Sequence, residues 1–141
     1  MTNELRAVLD TNVLVSAVLL PHSVPRRVFD HVILKARLLR SVAVIAELSE
    51  VLSRPKFDRY VSVGDRLEFL AKTIRDAESV EVNISITDCR DSKDNKFLEL
   101  AVSGSATHLV TGDADLLALS PFRGITVVSP NDFARLIAVG R

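Results

Sequence analysis

Residues 6–17 read RAVLDTNVLVSA, and their character changes once, at Asp10. Ala7, Val8 and Leu9 are a short apolar run of the kind that fills a strand buried on both faces. The run stops at an acid, Asn12 follows two residues later, and the apolar pattern resumes at Val13, Leu14 and Val15. That is a strand, Leu5–Leu9, passing directly into a short helix, Asn12–Leu19, which Pro21 ends. The same order recurs in HLVTGDADLLAL (residues 108–119), where Gly112 frees the backbone to turn between a strand and Asp113.

Working outward, the remaining segments keep this alternation. SVPRRVFDHVILKA (residues 23–36) sets Pro25 in a first turn after Ser23 and places Val28, Val32 and Leu34 on a helical face. RLLRS (37–41) reads as a short strand. SVAVIAELSEVLSRP (41–55) carries Val44, Leu48, Val51 and Leu52 at helical spacing and closes at Pro55. Asp65–Ala77 is amphipathic through Leu67, Leu70 and Ile74, and Val80–Ile86 alternates like a strand. DSKDNKFLELAVSGSA (91–106) is a helix begun at Asp91 or Ser92 and ended at Gly104. A strand at His108–Thr111, a short helix at Asp113–Leu119, a strand at Ile125–Ser129 and a helix at Asn131–Val139 complete the chain. Strands alternating with helices through short connections predict a parallel sheet covered on both faces, with ligands beyond the carboxyl ends of the strands.

Composition narrows the function classes. The 141 residues are 48% apolar and 26% charged, which suits one domain, residues 1–141, with a sizeable core. Lys and Arg (18) balance Asp and Glu (18), so a nucleic-acid partner has to be read from local patches rather than from net charge. Cys89 is the only cysteine, which excludes a disulfide framework and a thiolate zinc cluster. No signal peptide and no membrane span is expected, and a cytoplasmic location is the expectation.

Four acids fall where one site would form. Asp10 and Asp113 follow strands, Asp94 lies in the first turn of its helix, and Glu47 flanks the apolar stripe of another. Each also suits a plain structural role: a helix cap for Asp10, Asp113 and Asp115, a helix-dipole partner for Asp94, an arginine ion pair for Glu47. Together they suggest more. Clustered carboxylates repel and raise one another's pKa unless a cation neutralises them. An all-oxygen site without His suits Mg²⁺ or Mn²⁺. His22, His31 and His108 are scattered away from these acids.

VLDTNVLVSA, AELSEVLSRPKF, RDSKDNKFLELAV and HLVTGDADLLAL, in that order, resemble the PIN-domain ribonucleases, most closely the small single-domain toxins of bacterial toxin–antitoxin pairs (VapC-type). The resemblance implies a three-layer α/β/α sandwich with a central parallel sheet of about five strands. It implies a metal-dependent endoribonuclease acting on single-stranded RNA, an antitoxin protein as partner, and a homodimer. Carried over residue by residue, the catalytic and metal-binding acids are Asp10, Glu47, Asp94 and Asp113, with Asp115 able to share the last role. Asn12, Asp91 and Thr111 match supporting polar positions. The cofactor implied is Mg²⁺ or Mn²⁺.

Such a site is negative, so phosphate binding must come from neighbouring cations. Arg54, Lys56 and Arg59, beside Phe57 and Tyr60, and Arg90, Lys93 and Lys96, around Asp94, are the candidates, although such clusters also occur as ordinary solvated surface. Two other phosphate chemistries fit poorly. A haloacid-dehalogenase-like phosphatase needs an acid where Asn12 stands, and a receiver domain needs a lysine near the end of the last strand, where this chain has Ser129 and Pro130. A non-catalytic PIN module that binds RNA or a protein is the remaining alternative, and its mark would be a missing acid.

Overall fold

The computed structural model describes residues 4–139; residues 1–3 and 140–141 of the expected domain lie outside them. Five parallel strands form one sheet in the order β3-β2-β1-β4-β5. The strands are β1 (Arg6–Leu9), β2 (Arg37–Arg40), β3 (Glu78–Ser79), β4 (His108–Val110) and β5 (Thr126–Val128). The helices are α1 (Thr11–Leu19), α2 (Val24–Lys35), α3 (Val42–Leu52), α4 (Val63–Asp76), α5 (Asn95–Ser103), α6 (Ala114–Leu117) and α7 (Pro130–Val139).

The period-two geometry of the strands sorts their side chains into two cores. Ala7, Leu9, Leu38, Val110 and Val128 point to one face, where they meet Val13 and Leu14 of α1, Val28, Phe29 and Val32 of α2, Phe69 of α4 and Phe133 of α7. Val8, Leu39, Leu109 and Val127 point to the other, against Phe97, Leu98, Leu100 and Ala101 of α5 and Leu116 of α6. This is the three-layer α/β/α sandwich expected. Direction reverses between β1 and β4: from β1 the chain builds outward to β2 and β3, then returns to add β4 on the opposite side. In parallel sheets the crevice at that reversal is where ligands bind. Asp10 leaves β1 there, its N–H donating to Val110 of β4 at 3.1 Å, and Asp113 follows β4.

Three sequence expectations need correction. The strand expected at Val80–Ile86 is instead a two-residue pairing at Glu78–Ser79, closed by Val80 N–H donating to Arg40 C=O at 2.8 Å. Beyond it the chain leaves the sheet edge: the Ile86 N–H goes to the Glu99 carboxylate at 3.0 Å rather than to a strand. On α4 the stripe Leu67, Leu70, Ile74 is not the buried one. Leu67 is 60% exposed, while Arg66, Phe69 and Thr73 face inward. The phase is set by Phe69, whose ring lies 4.8 Å from that of Phe29, and by Arg66, whose guanidinium donates to Arg54 C=O at 3.1 Å and pairs with Asp58. On α2, Leu34 is 79% exposed, and the buried companion of Val28 and Val32 is Phe29. Leu34 is six residues from Val28, a turn and two-thirds, which carries it to the far side.

Candidate metal centre

Side chains from five segments meet in a cleft of about 310 Å³ at the carboxyl edge of the sheet, lined by Asp10, Asn12, Glu47, Asp91, Asp94 and Asp113, with Thr11, Lys93 and Phe97 between them. Asp10 is 5% exposed. It caps α1, one oxygen accepting the Val13 N–H at 2.9 Å and the other the Thr111 hydroxyl. Thr111 also accepts the Asp113 N–H at 3.0 Å, so a single hydroxyl ties the two strand-end acids together. Asp113 caps α6 through the Leu116 N–H at 3.1 Å.

Glu47 is delivered by α3, which Ser41 caps and whose Leu48 and Leu52 are buried. One oxygen of Glu47 accepts the Thr11 hydroxyl and the other the Lys96 ammonium. Asp94 sits at the junction of a 3₁₀ turn (Ser92–Asp94) with α5, and its carboxylate makes no capping bond. Asp91 caps that turn through the Lys93 N–H at 3.1 Å. The turn is held by Asn95, whose buried side chain accepts the Cys89 N–H at 2.8 Å. The Cys89 thiol thereby comes within 4.8 Å of oxygens of Asp94 and Asp113, which are likewise within 4.8 Å of each other.

The electrostatics follow from this crowding. Burial pushes the Asp10 carboxyl above its ordinary range, and the charges of Asp113 and Glu47 push it further, against the hydrogen bonds from Thr111 and Val13. Burial also raises Asp94, helped by the charges of Asp113, Asp91, Asp10 and Glu47. Glu47 goes the other way: burial alone would raise it, but Lys96, Thr11 and the nearby Lys93 together hold it below the usual range. The cleft therefore holds carboxylates that resist ionisation for want of a countercharge, beside one that already has its own. Oxygen donors destabilised by their neighbours' charge are a fit for a hard divalent cation.

Of the residues expected from sequence, Asp10, Glu47, Asp94, Asp113, Asn12 and Asp91 line the cleft and Thr111 underlies it; Asp115 is not among its lining residues. Lys93 stands at the rim, whereas Lys96 is folded against Glu47. Arg54 pairs with Glu50 at 2.9 Å, and Lys56 and Arg59 lie over the rings of Phe57 and Tyr60. Sequence reading did not single out Thr11, Cys89 or the part Lys96 plays. A hydroxyl between Asp10 and Asn12 was a usable signal for Thr11; nothing along the chain connects positions 47 and 96.

A pH dependence follows. A carboxyl with a raised folded-state pKa contributes most to stability when protonated, and that contribution is lost as pH rises through the folded value. Asp94→Asn removes such a group without breaking a capping bond. With chelator present, the variant is expected to gain stability relative to wild type as pH is raised from 4 to 8, the window beginning about the ordinary Asp pKa of ~3.9. Urea midpoints measured across that range check it, and a gap that stays constant would show that the crowding is not felt.

A doubly covered parallel sheet with carboxylates gathered at its central reversal defines a class of small α/β domains built around an acidic cleft. Residues 6–115 match the PIN domain family model, and the chain belongs to the PIN-domain family, whose members are generally nucleases. It is 29% identical over 119 residues to an uncharacterized protein of Methanocaldococcus jannaschii (MJ1680), covering 82% of this chain and 76% of that protein. Its fold is similar to that of PAE2754 from Pyrobaculum aerophilum (TM-score 0.63, 17% identity, 96% of this chain and 90% of that chain). It is also similar to a chain of VapBC2 from Rickettsia felis, crystallised bound to a DNA fragment from the VapBC2 promoter (TM-score 0.57, 14% identity, 89% of this chain and 98% of that chain). Among the described residues no helix is long and apolar enough to cross a membrane.

Proposed function

We propose that the protein is a divalent-cation-dependent endoribonuclease that cuts single-stranded RNA, and that it is the toxin of a toxin–antitoxin pair. The observation that carries the nuclease reading is the meeting of Asp10, Glu47, Asp94 and Asp113 in one cleft at the reversal of the sheet. Asp94 and Asp113, with Asp10 behind them, would hold Mg²⁺ or Mn²⁺, and Asp115 lies near enough for its charge to reach Cys89. A bound ion of this kind supplies Lewis acidity, which activates water and offsets charge on a phosphodiester.

The chain's own residues do the rest. Thr111 ties the Asp10 carboxylate to the Asp113 backbone N–H, and Asn12 and Asp91 supply polar contacts at the lip. Lys93 at the rim meets the phosphate backbone. Water is the nucleophile, so the products carry 5′-phosphate and 3′-hydroxyl ends. The likeness to a VapBC2 chain supports an antitoxin partner, and exposed Leu20, Tyr60, Val63 and Leu67 give apolar surface for it.

Incubation of the purified protein with total RNA, with Mn²⁺ or chelator, followed by end mapping, tests the reading. The expected result is cation-dependent internal cleavage with those ends. Binding of RNA without cleavage would replace it with the non-catalytic module.

A further inference from the structure

We propose that Lys96 is a resident cation of the cleft, standing where a second divalent ion would otherwise bind, so that the protein takes one divalent ion per chain. The inference rests on the metal-dependent reading above and specifies its stoichiometry.

The geometry divides the cleft in two. On one side, Asp94 and Asp113, with Cys89, form the one group of potential ligands among the described residues close enough to share an ion. Glu47 is not part of it. On the other side both Glu47 oxygens are engaged, one by the Thr11 hydroxyl and one by the Lys96 ammonium. The pair is recessed, with the Lys96 and Glu47 side chains 22% and 26% exposed. The ammonium also lies 5.7 Å from the centroid of the Phe97 ring, itself buried, so it is backed by apolar surface rather than swinging in solvent.

A divalent ion reaching Glu47 would have to displace this ammonium or sit beside it, and two cations sharing one carboxylate repel at short range. Charge makes the same point. Of the five carboxylates that line the cleft, Lys96 offsets one, a single divalent ion two more and Lys93 at the rim a fourth. The start of α5 delivers both halves of the device, Asp94 at its N-cap toward the ion and Lys96 in its first turn toward Glu47. The fixed ammonium cannot leave with product or be removed by a chelator.

Mn²⁺ titration of the full chain, read by electron paramagnetic resonance of the free ion, tests this. Wild type is expected to bind one Mn²⁺, Lys96→Arg one, and Lys96→Met two, the added site being weaker and lost again on Glu47→Gln. Lys96→Gln replaces the methionine variant should the latter fail to fold by circular dichroism. Two ions in wild type, or one ion in a folded Lys96→Met or Lys96→Gln variant at any affinity, would overturn the assignment. One ion in wild type without RNA cleavage would instead sink the nuclease reading and leave the lysine assignment standing; no ion at all would overturn both.

Discussion

Asp10→Asn is expected to lower RNA cleavage by more than about 1,000-fold while the domain stays folded. Charge stabilisation at such a centre is worth several kcal/mol, and about 4 kcal/mol corresponds to that factor. The fold should tolerate the change because asparagine caps helices about as well as aspartate, and its carbonyl can keep the Val13 N–H. Thr111 loses an acceptor for its O–H, which turns away, and its oxygen accepts from the new amide NH2 while keeping the bond from the Asp113 N–H. Loss of a buried charge among Asp94, Asp113 and Glu47 offsets that adjustment. A thermal melt within a few degrees of wild type, with cleavage absent at saturating Mn²⁺, is the combined result to look for. Undiminished cleavage would remove Asp10 from the chemistry and the proposed function with it.

The largest stability effect is expected away from the cleft, at Arg66. Its side chain is 2% exposed, a long cation packed where an apolar residue would be ordinary. Arg66→Ala leaves a cavity and takes one of two donors from the Arg54 carbonyl, which keeps the Phe57 N–H at 3.1 Å, and should cost about 2–4 kcal/mol, mostly through the cavity. Asp58, the other partner, is 57% exposed and is rehydrated, so it adds little. Arg66→Met refills much of the volume and disposes of the Nε–H, which has no acceptor in the wild-type structure. It should therefore recover at least half of the loss, as replacement of buried ion pairs by apolar groups often does. Urea denaturation distinguishes the two variants by their midpoints at unchanged m. An alanine variant within about 0.5 kcal/mol of wild type would mean that Arg66 is not part of the packing.

Arg66 also shows where sequence reading meets its limit. The apolar spacing Leu67, Leu70, Ile74 is a sound helical stripe, but the tertiary partner Phe29 and the 54–58 turn rotate the helix to another face. The helix itself was legible, and its phase was not. Strands β1, β2, β4 and β5 were legible because residues buried on both faces leave short apolar runs. β3 was not, because two residues of Glu and Ser at an edge have no such signature. At the cleft, Asp10, Asp94 and Asp113 could be found because each stands at a strand end or helix start, and Glu47 because it flanks the apolar stripe of its helix. The Glu47–Lys96 pair joins residues separated by 48 intervening positions and is created only when α3 and α5 pack over the sheet.

The flanks of the sheet carry a consequence for how copies of the chain behave together. The outermost strands are two and three residues long, too short a row of free amides and carbonyls to template a foreign strand. Growth of ordered fibrils from the native state is thereby discouraged at its nucleus. The helical exteriors offer apolar contact surface instead, where Val42 and Leu34 stand 89% and 79% uncovered.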